Sequence, residues 1–400
     1  MRLSFLFILI LINNWLIAQS DWQQIQVDVV YLASDDLEGR ATGSNGEKLA
    51  ASYVASRLSK LGIQAKGDNG WYQTFDFSSN PHGGTKTDLK GSNVVGFLDR
   101  KADKTIVIGA HMDHLGHGVV GSLAANDHSI HNGADDNASG VAALLWLAEQ
   151  LAKKENLGVN VLFIAFSAEE YGLFGSKAFC EKPTIALESV SAMINMDMVG
   201  RLKSDKGLAI SGVGTSTYWR DALNKVKPSD INYVLTESGV GPSDHTSFYL
   251  KNIPVLHFFT GTHTDYHKPT DDSPLVNYAG ILQISNLIYN LVLNIQNYPS
   301  MNFQKTKDES KETAASFKVT LGVMPDYTYS EKGMRIDAVL DDRPAKIAGL
   351  EGGDIIIKIG EFPVEDIYAY MKALGKFEKG KSTDIVVKRK GEEKTFKVTF

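Results

Sequence analysis

Cysteine is nearly absent from this chain. Cys180 is the single one in 400 residues, so no intramolecular disulfide can form and no cysteine-ligated structural zinc site can be built. It lies far from the N-terminus, which also excludes a lipid-modified cysteine directly after an export signal. Runs of Lys and Arg with interleaved aromatics are missing, and the formal net charge is -6, which argues against nucleic acid as a partner. Beyond Ala18 no apolar stretch is long enough to cross a bilayer. The sequence contains no internal repeat, and no Gly-x-Ser-x-Gly turn or Cys/His arrangement offers a nucleophile.

What is present begins with a targeting segment. Arg2 precedes an apolar run from Leu3 to Ile12, then Asn13-Asn14, then Trp15 to Ala18. That is the layout of a secretory signal peptide over residues 1–18, cleaved after Ala18. An uncleaved anchor is the competing reading, but the run is short against the roughly 20 residues that a spanning helix needs. An exported protein without disulfides suits a bacterial envelope or secreted enzyme. The expectation is a periplasmic or extracellular protein with no stable membrane insertion after signal cleavage.

The length predicts two or three domains, and a composition 43% hydrophobic and 22% charged can bury sizeable cores. Asn45 to Leu61 reads as a helix that Asn45 caps and Gly62 ends. Asp68 to Ser92, rich in Gly, Asn, Asp and Ser, reads as irregular. Apolar runs then appear at Thr105–Gly109, Val159–Phe166, Ser191–Met196, Gly207–Ser211 and Ile253–Phe259. Helical segments lie between some of them (Gly140–Lys153, Thr217–Val226), and Ala279–Ile295 closes the region. This alternation predicts an α/β fold with a mostly parallel central sheet flanked by helices, over residues 22–297. The polar stretch 298–315 reads as a linker, and 316–400 as a small β-rich domain.

Six side chains stand out against this frame: His111 in GAHMDH, Asp136 in GADDNASG, the pair Glu169-Glu170 in FSAEEYG, Asp197 in INMDMVG and His267 in DYHKPTDD. Two His and three carboxylates can act as ligands of a two-metal site, leaving one carboxylate to handle protons. Alone, each has an ordinary structural reading: an HxD after a strand, a Glu pair on a solvated helix start, a polar loop residue. Together, several of them follow strands whose carboxyl ends meet at one edge of an open sheet, which is where such sheets bind ligands. Asp113, two residues after His111, is placed to accept a hydrogen bond from the second ring nitrogen of that His. His114, His117, His128 and His131 read as solvated loop residues, and His257 as a packed core residue.

These motifs, in this order and together with LEGRATGS and SDHTSF, resemble the co-catalytic dizinc aminopeptidases of the MH clan (metallopeptidase family twenty-eight). The resemblance runs from about Tyr31 to Asn297. It implies two zinc ions, with His111 and Asp197 on one, Glu170 and His267 on the other, and Asp136 bridging. It further implies Glu169 as general base, a cis peptide at Asp136-Asn137, Tyr266 as a hydrogen-bond donor to the oxyanion, and Asp244 and His245 as supporting residues. The activity implied is hydrolysis of N-terminal residues from peptides with a free N-terminus. Arg343 to Gly360 (RPAKIAGLEGGDIIIKIG) resembles the PDZ domains of bacterial envelope proteases. Leu321-Gly322-Val323 would then be the loop that receives the carboxylate of a peptide or protein ligand. Two functions of other classes remain open on the sequence: a glutaminyl-cyclase-like acyltransferase, which usually carries Trp where this chain has Tyr266, and a non-catalytic peptide-binding receptor or scaffold. A dipeptidase or carboxypeptidase is open as well, since related two-zinc folds differ mainly in their pocket walls.

Overall fold

The computed structural model describes residues 22–79, 87–119, 121–124, 127–298, 301–306, 319–325, 329, 331–339 and 343–400. The expected signal peptide, 1–18, lies outside the described residues. So does 307–318, which takes in much of the expected linker.

A nine-stranded sheet fills the first part of the chain. Its strands are β1 (Gln64–Ala65), β2 (Tyr72–Ser79), β3 (Thr87–Leu98), β4 (Thr105–His111), β5 (Asn160–Phe166), β6 (Val190–Met196), β7 (Leu208–Ser211), β8 (Tyr233–Thr236) and β9 (Val255–Phe259). They run in the order β1-β3-β5-β4-β6-β9-β7-β8, with β2 beside β3. The block β5-β4-β6-β9 is parallel, and it carries the continuous apolar runs, since β4 and β5 are buried at every position. Strands covered on both faces have no wet side, so they read as runs rather than alternations. Antiparallel pairs widen this block on either flank, β3 on β5 and β7 on β9.

Helices cover both faces. Residues 22–32 form α1, followed by α2 (Asn45–Lys60), α3 (Gly140–Lys153), α4 (Phe174–Glu181), α5 (Trp219–Val226), α6 (His245–Tyr249) and α7 (Tyr278–Ile295). Ile106, Ile108 and Phe163 point into one core with α2, α3 and α7. Val107, Leu162 and Ile164 point into the other with Phe179 of α4 and Phe248 of α6. Neighbouring residues of one strand thus serve opposite cores, as the period of two requires. Among the described residues no helix is long and apolar enough to cross a membrane.

Three local expectations change. The cap of α2 is Ser44 rather than Asn45: its hydroxyl accepts from the Glu47 amide at 3.1 Å, a contact worth about 1 kcal/mol. The stretch 68–92 is not irregular, because β2 and β3 pair antiparallel across it. Gln73, Phe75 and Phe77 face inward while Thr74, Asp76 and Ser78 are exposed, an alternation masked by the polar residues around it. Part of the expected linker is anchored: Met301 is buried in the first core, and the Tyr249 hydroxyl meets the Thr306 backbone amide at 3.0 Å.

The last part of the chain forms a six-stranded antiparallel sheet with its own core, including Leu321, Ile336, Ile356 and Ile385. Its strands are β10 (Val323–Pro325), β11 (Met334–Val339), β12 (Ile355–Ile359), β13 (Phe362–Pro363), β14 (Ser382–Arg389) and β15 (Glu392–Thr399), with helices α8 (Pro344–Ala348) and α9 (Ile367–Leu374). The order is β10-β11-β12-β14-β15, with β13 on β12, so β10 is an edge strand.

Candidate metal centre

The parallel block brings the sequence motifs to one place. His111 is the last residue of β4, Asp197 follows β6, and Glu169 and Glu170 follow β5. These strands are neighbours running the same way, so their carboxyl ends share one edge. Asp136 lies in the turn leading into α3, and His267 in the loop after β9. The peptide bond between Asp136 and Asn137 is cis.

At that edge the side chains form two clusters joined by one carboxylate. His111 Nε2 lies 3.2 Å from Asp197 Oδ1 and 3.3 Å from Asp136 Oδ1. His267 Nε2 lies 3.2 Å from both Asp136 Oδ2 and Glu170 Oε2. Asp136 therefore turns one oxygen toward each half. Ligand atoms around a tetrahedral ion with bonds of ~2.0–2.2 Å stand roughly 3.3–3.5 Å apart, so the spacing of these nitrogens and oxygens fits divalent ions in both halves. The nitrogen and oxygen donors also suit zinc.

Each imidazole is held in the form that a metal requires. His111 Nδ1 faces the backbone carbonyl of Asp113 at 3.2 Å, and His267 Nδ1 faces that of Gly121 at 2.9 Å. A proton on each Nδ1 leaves the Nε2 lone pair directed into the cluster. The expected partner of His111, the Asp113 carboxylate, is 3.9 Å away. It is occupied instead by the Thr42 hydroxyl at 3.0 Å and the Glu169 amide at 3.1 Å. Asp113 thus fixes the Glu169 backbone, and its main chain does the work expected of its side chain.

The electrostatics are those of a cation site. Burial opposes a charged His111, but Asp197 and Glu169 outweigh it and raise the imidazole well above its ordinary value. His267 behaves likewise: burial opposes, and Glu170 and Asp136 win. Burial also works against a charged Glu170, yet His267 and His114 bring its carboxyl down to about 2. Glu169 goes the other way. Burial first, then Asp197 and Glu170, lift it well above the usual carboxylate range. A carboxylate with that affinity for protons, beside the cluster, is suited to act as a base.

His114 corrects the sequence reading. It is buried rather than solvated, with Nδ1 2.9 Å from Glu170 Oε1 and 3.9 Å from Asp136 Oδ2. His114, Asp136 and Glu170 form a second group able to hold an ion, beside His111, Asp136 and Asp197. The signal was the triplet His111, Asp113, His114 at a strand end. His131 is also buried, bonded to Ser122 and Ser129, whereas His117 and His128 are exposed.

Arg40, of the LEGR motif, had no role in the sequence reading. It is fully buried and donates to the carbonyls of Leu32, Met112, Asn132 and Gly133. It therefore clamps the loops on either side of the centre. Burial draws it down to about 10, against the pull of Asp136 and Asp113, so it stays charged at neutral pH. Asn137 fastens the same turn: its Oδ1 accepts from Gly140 and Met198, and its Nδ2 donates to the Met196 carbonyl. Asp271 Oδ2 accepts from the amides of Asp135 and Asp136 at 2.9 and 3.0 Å.

The centre opens into a cavity of about 770 Å3, lined near the cluster by Met198, Val240, His245, His257, Phe259 and Tyr266. The Tyr266 ring stacks on that of His267 with centroids 3.9 Å apart. Burial and the nearby carboxylates push its phenol well above the ordinary value, so it remains a donor. His245 and His257 stack at 4.4 Å. Burial lowers both, His257 to about 4, so they present a neutral wall. Asp244 is buried, and burial lifts it to about 7 against the pull of His111 and Ser176. Leu321 is buried in the core of the C-terminal domain, and Gly322, at φ +73, precedes Val323, the first residue of β10.

Comparison with known proteins finds two families on the chain. Residues 93–292 match the model of peptidase family M28, and 306–400 that of the PDZ domain. The chain is 30% identical over 221 residues to leucine aminopeptidase 1 of Leptosphaeria maculans, covering 51% of this chain and 55% of that protein. It is 35% identical over 170 residues to leucine aminopeptidase 1 of Pyrenophora teres f. teres, covering 39% and 42%. The chain thus spans about half the length of the curated relatives it matches. Among solved structures, a zinc aminopeptidase from Bacillus subtilis is similar at TM-score 0.55 and 17% identity, over 71% of this chain and 98% of that one. Porphyromonas gingivalis glutaminyl cyclase is similar at TM-score 0.55 and 19% identity, over 69% and 97%. At these identities the two structures bear on the fold alone.

Proposed function

The chain belongs to peptidase family M28 and ends in a PDZ domain, and from that membership we propose that it is an exported zinc aminopeptidase acting on peptides with a free N-terminus. The observation that carries the reading is Asp136, which offers one oxygen to each half of the cluster. In this reading His111 and Asp197 hold one zinc, Glu170 and His267 the other, and Asp136 both, within a catalytic domain over 22–297.

When bound, a zinc pair would supply Lewis acidity toward the scissile carbonyl and would lower the pKa of the attacking water toward about 7. Glu169 accepts the proton of the attacking water as the new C–O bond forms, and then passes it to the leaving amine as the C–N bond breaks. Tyr266 donates its phenol hydrogen to the oxygen that gains charge. The carboxylates of the cluster favour the substrate's α-ammonium nearby, which selects the N-terminal residue. Asp113 and Arg40 hold the backbone that aims these groups.

A mixed peptide library digested with and without chelator, and read by mass spectrometry, tests this. Products shortened from the N-terminus, lost with chelator and in Glu169→Ala, are expected. Glutaminyl cyclisation shares the fold. Pyroglutamate from a Gln-leading peptide, without shortened products, would replace the aminopeptidase reading.

A further inference from the structure

The cavity over the metal centre does not close on the nine-stranded body. Its far side is made by Tyr329, Glu331, Lys332, Glu365, Asp366 and Met371 of the PDZ domain. Thr262, which also lines the cavity, donates its hydroxyl to the backbone carbonyl of Pro325 at 3.3 Å. That contact joins the loop leading to His267 to the last residue of β10.

β10 has β11 on one edge, and among the described residues no strand pairs with the other. An extended peptide can therefore add to the open edge. The turn before β10 is shaped for the peptide's end. Gly322 sits at φ +73, and a Cβ there would lie 2.1 Å from the Cβ of Arg343. Gly322 thus packs against the Arg343 stem, with its own amide held by the Thr320 hydroxyl at 3.1 Å, and a guanidinium beside such a turn can pair with a carboxylate. A peptide whose carboxylate lies at Leu321–Val323 runs its upstream residues along β10 toward Pro325. Pro325 is bonded to Thr262 of the cavity wall, and Asp366, which caps α9, and Met371 of that helix also line the cavity.

We propose that the PDZ groove and the metal cavity form one substrate track, in which a short peptide is held by its carboxylate at Leu321–Gly322–Val323 beside Arg343 while its N-terminal amine lies at the metal centre. This rests on the aminopeptidase reading. The ends of the track match the ends of a zwitterionic peptide: carboxylates gather at the metal end and a cation at the other. The three residues of β10 span roughly 10 Å at ~3.3 Å each, so a peptide of about six residues outruns β10 by about three residues that can enter the cavity. The occupant of the groove is thus the substrate itself, and the substrate class is short peptides with a free carboxyl end.

The test uses the zinc-loaded full chain and leucine-initiated peptides of two to ten residues, each as free acid and as C-terminal amide, with leucine 4-nitroanilide as reference. For peptides of about six residues, the acid is expected to exceed the amide in kcat/KM by about tenfold or more through KM, with no such preference in dipeptides. Arg343→Ala brings the ratio, normalised to the nitroanilide rate, close to one, and Arg343→Lys restores part of it. An N-acetylated hexapeptide with a free carboxylate should bind by calorimetry and compete with substrate. Equal rates for acid and amide at every length overturn the track, as does an acetylated peptide that binds without competing, which would mark a separate partner. Failure to hydrolyse the nitroanilide would instead remove the aminopeptidase reading beneath it.

Discussion

One half of the metal centre, His111 with Asp197, stands on the ends of adjacent parallel strands, whereas the other, Glu170 with His267 and His114, hangs on three loops. The strand-borne half is held by sheet hydrogen bonds and by packing on both faces. The loop-borne half depends on contacts such as His267 Nδ1 with the Gly121 carbonyl, and His267 itself adopts φ +53, a conformation that costs an L-residue about 1 kcal/mol. The strand-borne half is therefore the more firmly preorganised of the two. The strand-borne half should then bind more tightly and lose its metal last.

The largest expected effect removes what the halves share. Asp136→Ala should cut activity by at least about a thousandfold and lower the bound zinc from two ions to fewer than one, as elemental analysis would show. A variant that loses a single ion and keeps a tenth of the activity would mean that the carboxylate serves one half only. Next comes the loop-borne half alone. His114→Ala should weaken one zinc about 10- to 100-fold, the range for groups that orient a ligand, and leave the other unchanged in a chelator titration. Equal weakening of both ions would erase the distinction.

Proton binding separates the halves from the metal that fills them. In the metal-free protein His111 and His267 are raised well above about 6.5, the ordinary imidazole value. The stability they contribute is complete below that value and is lost as pH rises through their folded-state values. Glu169, raised well above its usual range, and Glu47, lifted by burial and then Asp113 to about 8, act in the same direction. Calorimetry should show the metal-free protein losing about a few degrees of Tm between pH 7 and 9. The zinc-loaded protein should show no such loss, because metal replaces the protons; matching curves would refute this. The smallest effect sharpens the strand-borne half. Thr42→Val removes the hydroxyl that holds Asp113 and should cost about 1 kcal/mol by denaturant unfolding, with at most a few-fold change in affinity for the tighter zinc.

The central sheet was legible because β4, β5 and β6 are apolar runs, a pattern that two covering layers of helix impose. The flanking pair β2 and β3 was not, because Gln73 and Asn93 are buried polar residues bonded to each other at 3.1 Å, which breaks the apolar alternation. Five ligand candidates and Glu169 were readable as motifs, all but Asp136 after strands, and the structure gathers them. His114 was hidden among loop histidines, since sequence carries no sign of burial. Arg40 was hidden for another reason: its partners lie 72 to 93 residues away, apart from Leu32, and carbonyl groups leave no mark in a sequence.

That arginine also sets the order in which the enzyme can be assembled. The region that matches the peptidase family begins at residue 93, yet the guanidinium tying its ligand loops together comes from residue 40. Closing contacts so distant along the chain costs more entropy than closing local ones, and the ligand loops are tied only when the N-terminal segment has docked. A protease that cut between Arg40 and β4 would leave every ligand in the chain. If the freed segment departs, what remains is a sheet with its catalytic loops untied.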